Sequence, residues 1–313
     1  MNQKQPKYPI YIPSKGRWES RLTSRTLEEM GVDYKIVVEP QEYDNYAAVI
    51  DPKKILVLPF SNLGLASIPA RNWIWEHAVA AGHERHWVLD CNMRYFYRMY
   101  NNSKLKVRSA MPFTVCENYS DRFTNVGVSG LQYAYLTPTY ADKPPVYLNS
   151  RVYSCILINH ELKQRWRVLE WDGKPAPYNE DSDLSINALK DGFCNILFNS
   201  FLCGKYNTML MKGGNTTEVY KHEADGFDNR FAFAASLQKA HPDVVTISRR
   251  HGRNHHLIDF SGFQRTNKLI LKPGMEYPEI YPEKLKLVRL SDLNNIKSPH
   301  YPASIDGMRM EIN

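Results

Sequence analysis

Short apolar runs alternate with amphipathic stretches over the first ninety residues of the chain. The apolar runs have strand lengths, and the amphipathic stretches repeat apolar residues at helical spacing. Strands are predicted at 8–13, 34–40, 54–60 and 85–90, and helices at 19–31, 42–50 and 67–82, the last with Ser67 as a candidate cap. Strands that alternate with helices at these lengths predict βαβ units and a mostly parallel sheet.

The chain beyond residue 95 is less regular. A helix is predicted at 110–121, strands joined by polar and proline-rich loops at 123–160, and a second helix at 181–193. Residues 205–260 mix strand, turn and helix signals. Because the sequence contains no internal repeat and no clear linker, we predict one compound α/β domain.

Composition and charge narrow the class of protein. Of the 313 residues, 43% are hydrophobic, and the net charge of +7 favours an anionic partner such as nucleic acid or nucleotide phosphates. Five cysteines without a CxxC pair argue against a disulfide framework and against a structural zinc site. The sequence has no signal-peptide pattern and no apolar run of membrane-spanning length, so we expect a cytoplasmic protein without a membrane partner.

The stretch HWVLDCN is the first candidate site. Its apolar run ends on Asp90, which is followed by Cys91 and Asn92. A carboxylate at the end of a central strand lies where open α/β sheets bind ligands. A Mg²⁺ or Mn²⁺ ion on a diphosphate needs only one or two protein oxygens there. Asp and Asn also start ordinary turns, and these residues alone leave both interpretations open.

Two stretches are candidates for phosphate binding. PSKGRW, residues 13–18, follows the first predicted strand, which would place Lys15 and Arg17 at the ligand crevice. PARN, residues 69–72, opens a helix, where free N–H groups and the Arg71 guanidinium attract anions. The alternative for residues 13–18 is a basic surface turn, and the alternative for Arg71 is a solvated helix residue.

Acids and glycines mark two more stretches. YNEDSDL places Glu180, Asp181 and Asp183 at the start of a predicted helix. A carboxylate there is either a general base or a helix cap. KGGN, residues 212–215, is a flexible turn that suits close approach to a sugar or a phosphate, although two glycines alone are a weak signal.

RRHGRNHH, residues 249–256, is a cationic cluster that ends in two histidines. His255 and His256 are candidates for a late metal ligand, and the arginines suit phosphate groups. The arginines are Arg249, Arg250 and Arg253. A plain basic loop is the alternative.

Taken in order, these stretches resemble one known family. IPSKGRW, VVEPQEYDNY, LPFSNLG, PARNWIWEHA, HWVLDCN, YNEDSDL, MKGGNT and GRNHH are similar to the TET-associated glycosyltransferases, from about residue 8 to about residue 260. The resemblance implies a GT-A-type fold, in which a Rossmann-like mixed sheet is flanked by helices, with an acceptor-side subregion. It implies one domain over 1–270, with a donor half at about 1–100 and an acceptor half at about 101–270, and a packed extension over 271–313.

The implied reaction transfers a sugar from a nucleotide-sugar, expected to be a UDP-sugar, to a hydroxymethylpyrimidine in phage DNA. The expected acceptor is 5-hydroxymethylcytosine in double-stranded DNA, and the sugar would protect the phage genome from host nucleases. The resemblance implies donor binding by Pro13, Ser14, Lys15, Arg17, Glu39, Tyr43, Arg71, Asn72, Asp90, Gly213, Gly214 and Asn215. It implies Mn²⁺ or Mg²⁺ at Asp90, Asn92, His255 and His256, a catalytic carboxylate at Glu180 or Asp181, and DNA contacts at Arg249, Arg250 and Arg253.

Cys91 departs from the family pattern, which more often has an acid at this position. Because Mg²⁺ prefers oxygen ligands, a thiol there predicts weaker metal binding. Two alternatives therefore stay open. One is a glycosyltransferase with a protein or glycan acceptor, and the other is a DNA-binding relative with weakened catalysis.

Overall fold

A mixed β-sheet forms the centre of the protein. The structure is a computed structural model that describes residues 4–101, 103–139, 144–206, 211, 213–214, 229–250 and 253–276. Its strands are β1 (Ile10–Pro13), β2 (Lys35–Val38), β3 (Ile55–Val57), β4 (Arg85–Leu89), β5 (Met93–Tyr100), β6 (Ser103–Lys106), β7 (Val126–Tyr133), β8 (Val146–Leu148), β9 (Cys155–Asn159), β10 (Leu169–Trp171), β11 (Lys174–Ala176), β12 (Cys194–Lys205), β13 (Val245–Arg250) and β14 (Arg253–Ile258). Its helices are α1 (Leu22–Glu29), α2 (Tyr43–Ala47), α3 (Ile68–Ala80), α4 (Met111–Ser120), α5 (Glu180–Lys190), α6 (Asn229–Ala240) and α7 (Ser261–Thr266).

The strand order brings several strand ends to one edge of the sheet. The order is β3-β2-β1-β4-β9-β7-β12-β5-β6, and β8 also pairs with β12. Strands β1 to β4 are parallel to one another, and β7 is parallel to β12. Since β9 is antiparallel to both β4 and β7, strands β1, β4 and β12 run in the same direction. Their carboxyl ends, at Pro13, Leu89 and Lys205, therefore lie along the same edge.

The predicted class, a mixed α/β sheet flanked by helices, is confirmed. The parallel pairing expected from the first ninety residues holds for β1 to β4, and β7 and β12 form one further parallel pair. The later strands add antiparallel pairs, such as the β5–β6 hairpin, in which Tyr100 pairs with Ser103. A connection this short permits only antiparallel pairing.

Apolar side chains cover both faces of the sheet. One face buries Trp87 of β4 against helices α1 and α4, where its ring meets Phe113 edge-on at 5.2 Å. The opposite face buries Val88 of β4 against Ile74 and Trp75 of α3 and Leu184 of α5. Every residue of β4 is buried, as the apolar run Trp87–Leu89 predicts for a central strand covered on both faces, and this includes the polar Arg85 and His86.

The structure bears on the predicted Ser67 cap, on the predicted C-terminal extension and on the question of a membrane-spanning helix. Ser67 precedes α3 but does not cap it with its side chain; its hydroxyl faces Glu180 instead. The first residues of the predicted extension do contact the domain, since Leu271 bridges to Phe123, while 277–313 lie outside the described residues. In the described part of the chain, no helix is long and apolar enough to cross a membrane.

Candidate active site

A cavity of about 1020 Å³ opens at the edge where β1, β4 and β12 end. Its size suits a nucleotide-sugar, because ligand pockets commonly measure about 300–1000 Å³. Among the described residues, six cationic side chains and four carboxylates line it. They are Lys15, Arg17, Arg71, Arg151, Lys205 and Arg230, and Glu39, Asp90, Glu180 and Asp181. This surplus of cations suits an anionic ligand.

Asp90 is the centre of a hydrogen-bonded ion cluster. Its Oδ1 accepts a bond from Arg71 Nη2 at 2.9 Å, and its Oδ2 accepts bonds from Lys205 Nζ at 2.7 Å and Ser154 Oγ at 2.8 Å. Burial alone would raise the pKa of the Asp90 carboxyl, but the Lys205 and Arg71 charges outweigh burial and hold this pKa well below its usual range. The carboxylate is therefore ionised at neutral pH and balanced by two cations.

The sheet topology explains how these groups meet. Asp90 follows β4, and Lys205 ends β12, which runs in the same direction. Ser154 precedes β9, whose first residue pairs with Leu89. The backbone of Ser154 has φ = 64°, a conformation that costs a residue other than glycine free energy and that clusters at functional sites. Three segments that are far apart in sequence thus converge on one carboxylate.

Arg71 joins the Asp90 cluster to the acids of α5. Its guanidinium lies in the first turn of α3, is 3% exposed and stacks over Trp166 at 4.5 Å from the ring centre. Its Nη1 is 3.3 Å from Glu180 Oε1. Burial raises the pKa of Glu180 to about 7 although Arg71 opposes the shift. A carboxyl with a pKa near the working pH can exchange a proton there.

The three acids at the start of α5 have different surroundings. Asp181 is half-buried, lines the cavity and makes no hydrogen bond or ion pair with the residues that the structure describes. Asp183 is fully buried and accepts bonds from Arg167 Nε at 2.9 Å and His241 Nε2 at 2.8 Å. Asp183 is therefore a structural ion-pair residue, whereas Asp181 keeps its carboxylate available to a ligand. None of the three side chains caps the helix.

The loop after β1 lies against the Gly-Gly turn. Gly214 N donates to Lys15 O at 3.0 Å, and Arg17 Nη2 donates to Gly213 O at 3.1 Å. Lys15 Nζ contacts Glu39 Oε1 at 3.0 Å, so the end of β2 joins the same wall of the cavity. Pro13 and Ser14, which were expected to bind the donor, also line it.

The residues of the expected metal site do not fit a divalent cation in this arrangement. Both oxygens of Asp90 are engaged by cations, and the Cys91 thiol accepts a bond from Arg17 Nη1 at 3.0 Å. The Asn92 Nδ2 donates to Tyr206 O at 2.7 Å, a contact that does not involve the oxygen a metal would use. Across the described ranges, no three His, Cys, Asp or Glu side chains form a group that could hold a metal. The metal expectation thus finds no support in the contacts of these side chains.

The predicted histidines lie on β14 and line the same cavity. His255 is exposed. His256 Nε2 faces Arg151 Nη1 at 2.9 Å, and burial together with the Arg151 charge lowers the pKa of His256 to about 4. A neutral His256 accepts the hydrogen bond of Arg151, so this pair orients a cation toward the cavity.

Several predicted residues lie outside the cavity or outside the described side chains. Asn72 clamps the backbone of Trp166 through two hydrogen bonds, and Tyr43 packs against the apolar core, so neither lines the cavity. Both were expected from resemblance alone, and packing decides their orientation. Arg249 is exposed and does not line the cavity either. Asn215 and the side chains of Arg250 and Arg253 lie outside the described part of the structure.

Several polar residues of the site were not predicted, among them Tyr133, Arg151, Ser154, Lys205 and Arg230. Lys205 carried a usable signal, because it ends a long apolar stretch, CNILFNSFLCGK, as Asp90 ends its own. Ser154 and Arg151 lie in a loop without a pattern, and only the folded chain reveals their position.

Comparisons with known proteins bear on this site. The family model for the TET-Associated Glycosyltransferase matches residues 8–214, which covers the cavity walls from β1 to the Gly-Gly turn. No curated protein matches the chain. A solved structure described as a nucleotide-diphospho-sugar transferase, from Desulfovibrio desulfuricans G20, is 10% identical and covers 76% of this chain and 95% of its own, with a TM-score of 0.36. At that TM-score the likeness carries no argument about this protein.

Proposed function

Because this chain belongs to the TET-associated glycosyltransferase family, we propose that it transfers a sugar from a nucleoside-diphosphate donor to the hydroxyl of a 5-hydroxymethylpyrimidine in DNA. The observation that supports this proposal most directly is the pairing of an available carboxylate, Asp181, with a cation-rich cavity wall. A base and an anion site on one cavity are what a displacement of diphosphate by a hydroxyl requires.

The proposed chemistry divides between the two sides of the cavity. Asp181 takes the proton of the acceptor hydroxyl, whose oxygen then bonds to the anomeric carbon of the sugar. The bond from that carbon to the diphosphate breaks, and its electron pair goes to the diphosphate oxygen. A single displacement of this kind inverts the anomeric configuration. Lys15, Arg17 and Arg71 lie on the donor side, where they suit the negative charge of the nucleotide.

An edge hairpin supports a nucleic-acid acceptor. This basic hairpin, Met93–Lys106, carries four cations and no acid, and Lys205 pairs with Met93 at its start, so it extends from the cavity. Lys106 Nζ lies 3.6 Å from the ring centre of Tyr95, which is half-buried. Cations beside partly exposed aromatic rings are typical of surfaces that bind nucleic-acid strands.

The test is a mass measurement on digested DNA. Protein is incubated with a panel of UDP-sugars and a duplex that contains 5-hydroxymethylcytosine or 5-hydroxymethyluracil, and the nucleosides are weighed. We expect a hexose or pentose mass gain that the Asp181→Asn variant loses and that an unmodified duplex does not show. Sugar transfer to a protein or glycan with no gain on either duplex would contradict the DNA acceptor. Duplex binding without any transfer would indicate a catalytically weakened relative.

A further inference from the structure

Lys205 occupies the position at Asp90 where a nucleotide-bound metal is expected. Resting on the proposed function, we infer that the Lys205 ammonium, together with Arg71, binds and neutralises the donor diphosphate, and that the reaction needs no divalent cation. Asp90 is then a positioning residue that holds Lys205, and it is not a metal ligand.

Contacts fix the Lys205 ammonium in place. Its Nζ lies 2.7 Å from Asp90 Oδ2, 3.0 Å from Ser154 Oγ and 3.3 Å from the Tyr133 hydroxyl. Tyr133 in turn shares a hydrogen bond with Ser154, so both neighbours of the ammonium are held as well. The side chain is 19% exposed and lines the cavity, which leaves it a solvent-facing part for a ligand. A preorganised cation of this kind stabilises developing charge without having to reorganise.

Charge repulsion opposes a metal at the same carboxylate. Arg71 and Lys205 already engage the two oxygens of Asp90. A divalent ion bound to either oxygen would lie within a few ångströms of these two cations, and like charges at such a separation repel strongly in a buried site. The neighbouring Cys91 thiol offers no hard oxygen to offset that cost.

The charge flow of the reaction suits this cluster. When the bond between the anomeric carbon and the diphosphate breaks, negative charge grows on the diphosphate oxygen. Both cations line the cavity. Lys205 and Arg71 can therefore neutralise the departing diphosphate by their charge, and Lys205 can exchange its 3.3 Å contact with the Tyr133 hydroxyl for one to the diphosphate, while Asp90 keeps both cations in place. The acceptor proton leaves on the opposite side, at Asp181.

Calorimetric titration with nucleotides tests the inference. Wild-type protein is titrated with UDP, GDP, CDP, ADP and dTDP and with the matching monophosphates, once in EDTA and once in Mn²⁺. We expect one diphosphate to bind with equal affinity in both buffers. Binding of the diphosphate only in Mn²⁺ would overturn the inference and leave the proposed function standing. A lack of diphosphate binding in both buffers would overturn the proposed function itself.

Three variants distinguish diphosphate binding by the Lys205 ammonium from diphosphate binding through a metal. Lys205→Met should weaken diphosphate binding in EDTA by about 10- to 100-fold, the loss of one or two charge-assisted hydrogen bonds, and change monophosphate binding by less than about threefold. Lys205→Arg should retain most of the affinity, which controls for folding. Asp90→Asn should bind the diphosphate in EDTA about as tightly as wild type, because the amide oxygen can still accept the Lys205 hydrogen bond and hold the ammonium in place. A loss of diphosphate binding in Asp90→Asn, with an unchanged melting temperature, would contradict the inference.

Discussion

At the scale of single residues, the acids of α5 show that neighbours in sequence can have separate roles. Asp181 and Asp183 both lie in the first turn, where the helix dipole favours carboxylates. Asp183 is held by Arg167 and His241 in the interior, whereas Asp181 faces the cavity. The difference arises from helix geometry, because residues two apart point about 200° apart around the axis.

The two acids should respond to substitution in opposite ways. Asp181→Asn should lower kcat by about 10²- to 10⁴-fold, the usual contribution of a general base, with stability unchanged within about 0.5 kcal/mol. Asp183→Ala should destabilise the fold by about 3–5 kcal/mol, because it leaves His241 and Arg167 without their partner. Urea unfolding and single-turnover kinetics measure both effects. A stable, inactive Asp183→Ala protein would contradict the structural role of that residue.

Glu180 makes stability depend on pH. Its raised pKa means that the folded protein binds this proton more tightly than the unfolded chain does. Stability attributable to Glu180 is therefore present below its ordinary pKa of 4.5 and is lost as the pH rises to about 7. Glu180→Gln should reduce that loss by an amount on the order of 2 kcal/mol. Urea unfolding from pH 4.5 to 7.5 measures how the free energy of unfolding of both proteins changes with pH. Glu180→Gln should still lose some stability over this range, because burial also raises the pKa of Glu117 to about 7.

At the scale of elements, two glycines let the loop after β1 and the Gly-Gly turn touch through their backbones. A Cβ on Gly213 would lie 2.4 Å from Gly16 O, which is closer than non-bonded atoms approach. Gly213 also has φ = 77°, a backbone conformation that favours glycine. The close approach orders Arg17, whose guanidinium donates to Gly213 O at the cavity wall.

Gly213→Ala should therefore weaken donor binding more than it weakens the fold. The added methyl group would push the two loops apart, and we expect a loss of about tenfold in diphosphate affinity, comparable to one charge-assisted hydrogen bond. Gly262→Ala is the control, since Gly262 lies in α7 with open space around its Cβ and an ordinary φ. Calorimetric titration of both variants is the measurement. Equal affinity of Gly213→Ala and wild type would show that this contact does not shape the donor side.

At the scale of the whole molecule, we expect the positions of the basic residues to matter more for DNA binding than the net charge of +7. The basic hairpin lies at one edge of the sheet, in β5 and β6, and β3 lies at the other edge. Lys53 and Lys54 precede β3, so they lie at the end of that strand opposite the edge where the cavity opens, and they carry the same sign as the hairpin. If the acceptor is DNA, as proposed, we expect the duplex to contact the basic hairpin and not Lys53 and Lys54.

Two double variants with equal net charge separate these surfaces. Arg94→Gln with Lys106→Gln should weaken duplex binding and lower the slope of log K against log salt by about 2, since each phosphate that a cation neutralises adds about 0.9 to that slope. Lys53→Gln with Lys54→Gln should leave the slope unchanged. Fluorescence anisotropy across a salt series provides the slopes. Equal changes in the two double variants would indicate that only the net charge attracts DNA.

Local patterns by themselves determined a large part of this protein. The strands and helices of the first ninety residues follow from apolar periodicity, which depends only on the period of each element. Asp90 and the Lys15–Arg17 loop were found because sheet topology places strand ends at one edge, and the acids of α5 were found because they open a predicted helix. The local pattern by itself did not separate Asp181 from Asp183, and the resemblance did not exclude Asn72 and Tyr43 from the cavity, because packing orients those side chains.

Only the tertiary structure decided what surrounds Asp90. Lys205 is 115 positions from Asp90 in the chain, and Ser154 is 64 positions from it. No local sequence spacing connects either residue to the carboxylate. They meet because β12 runs in the direction of β4, which follows from two antiparallel pairings through β9. The sequence therefore determined that a charged carboxylate ends a central strand. The pairing of distant strands decided that an ammonium lies against it, since strand direction depends on which strands pair.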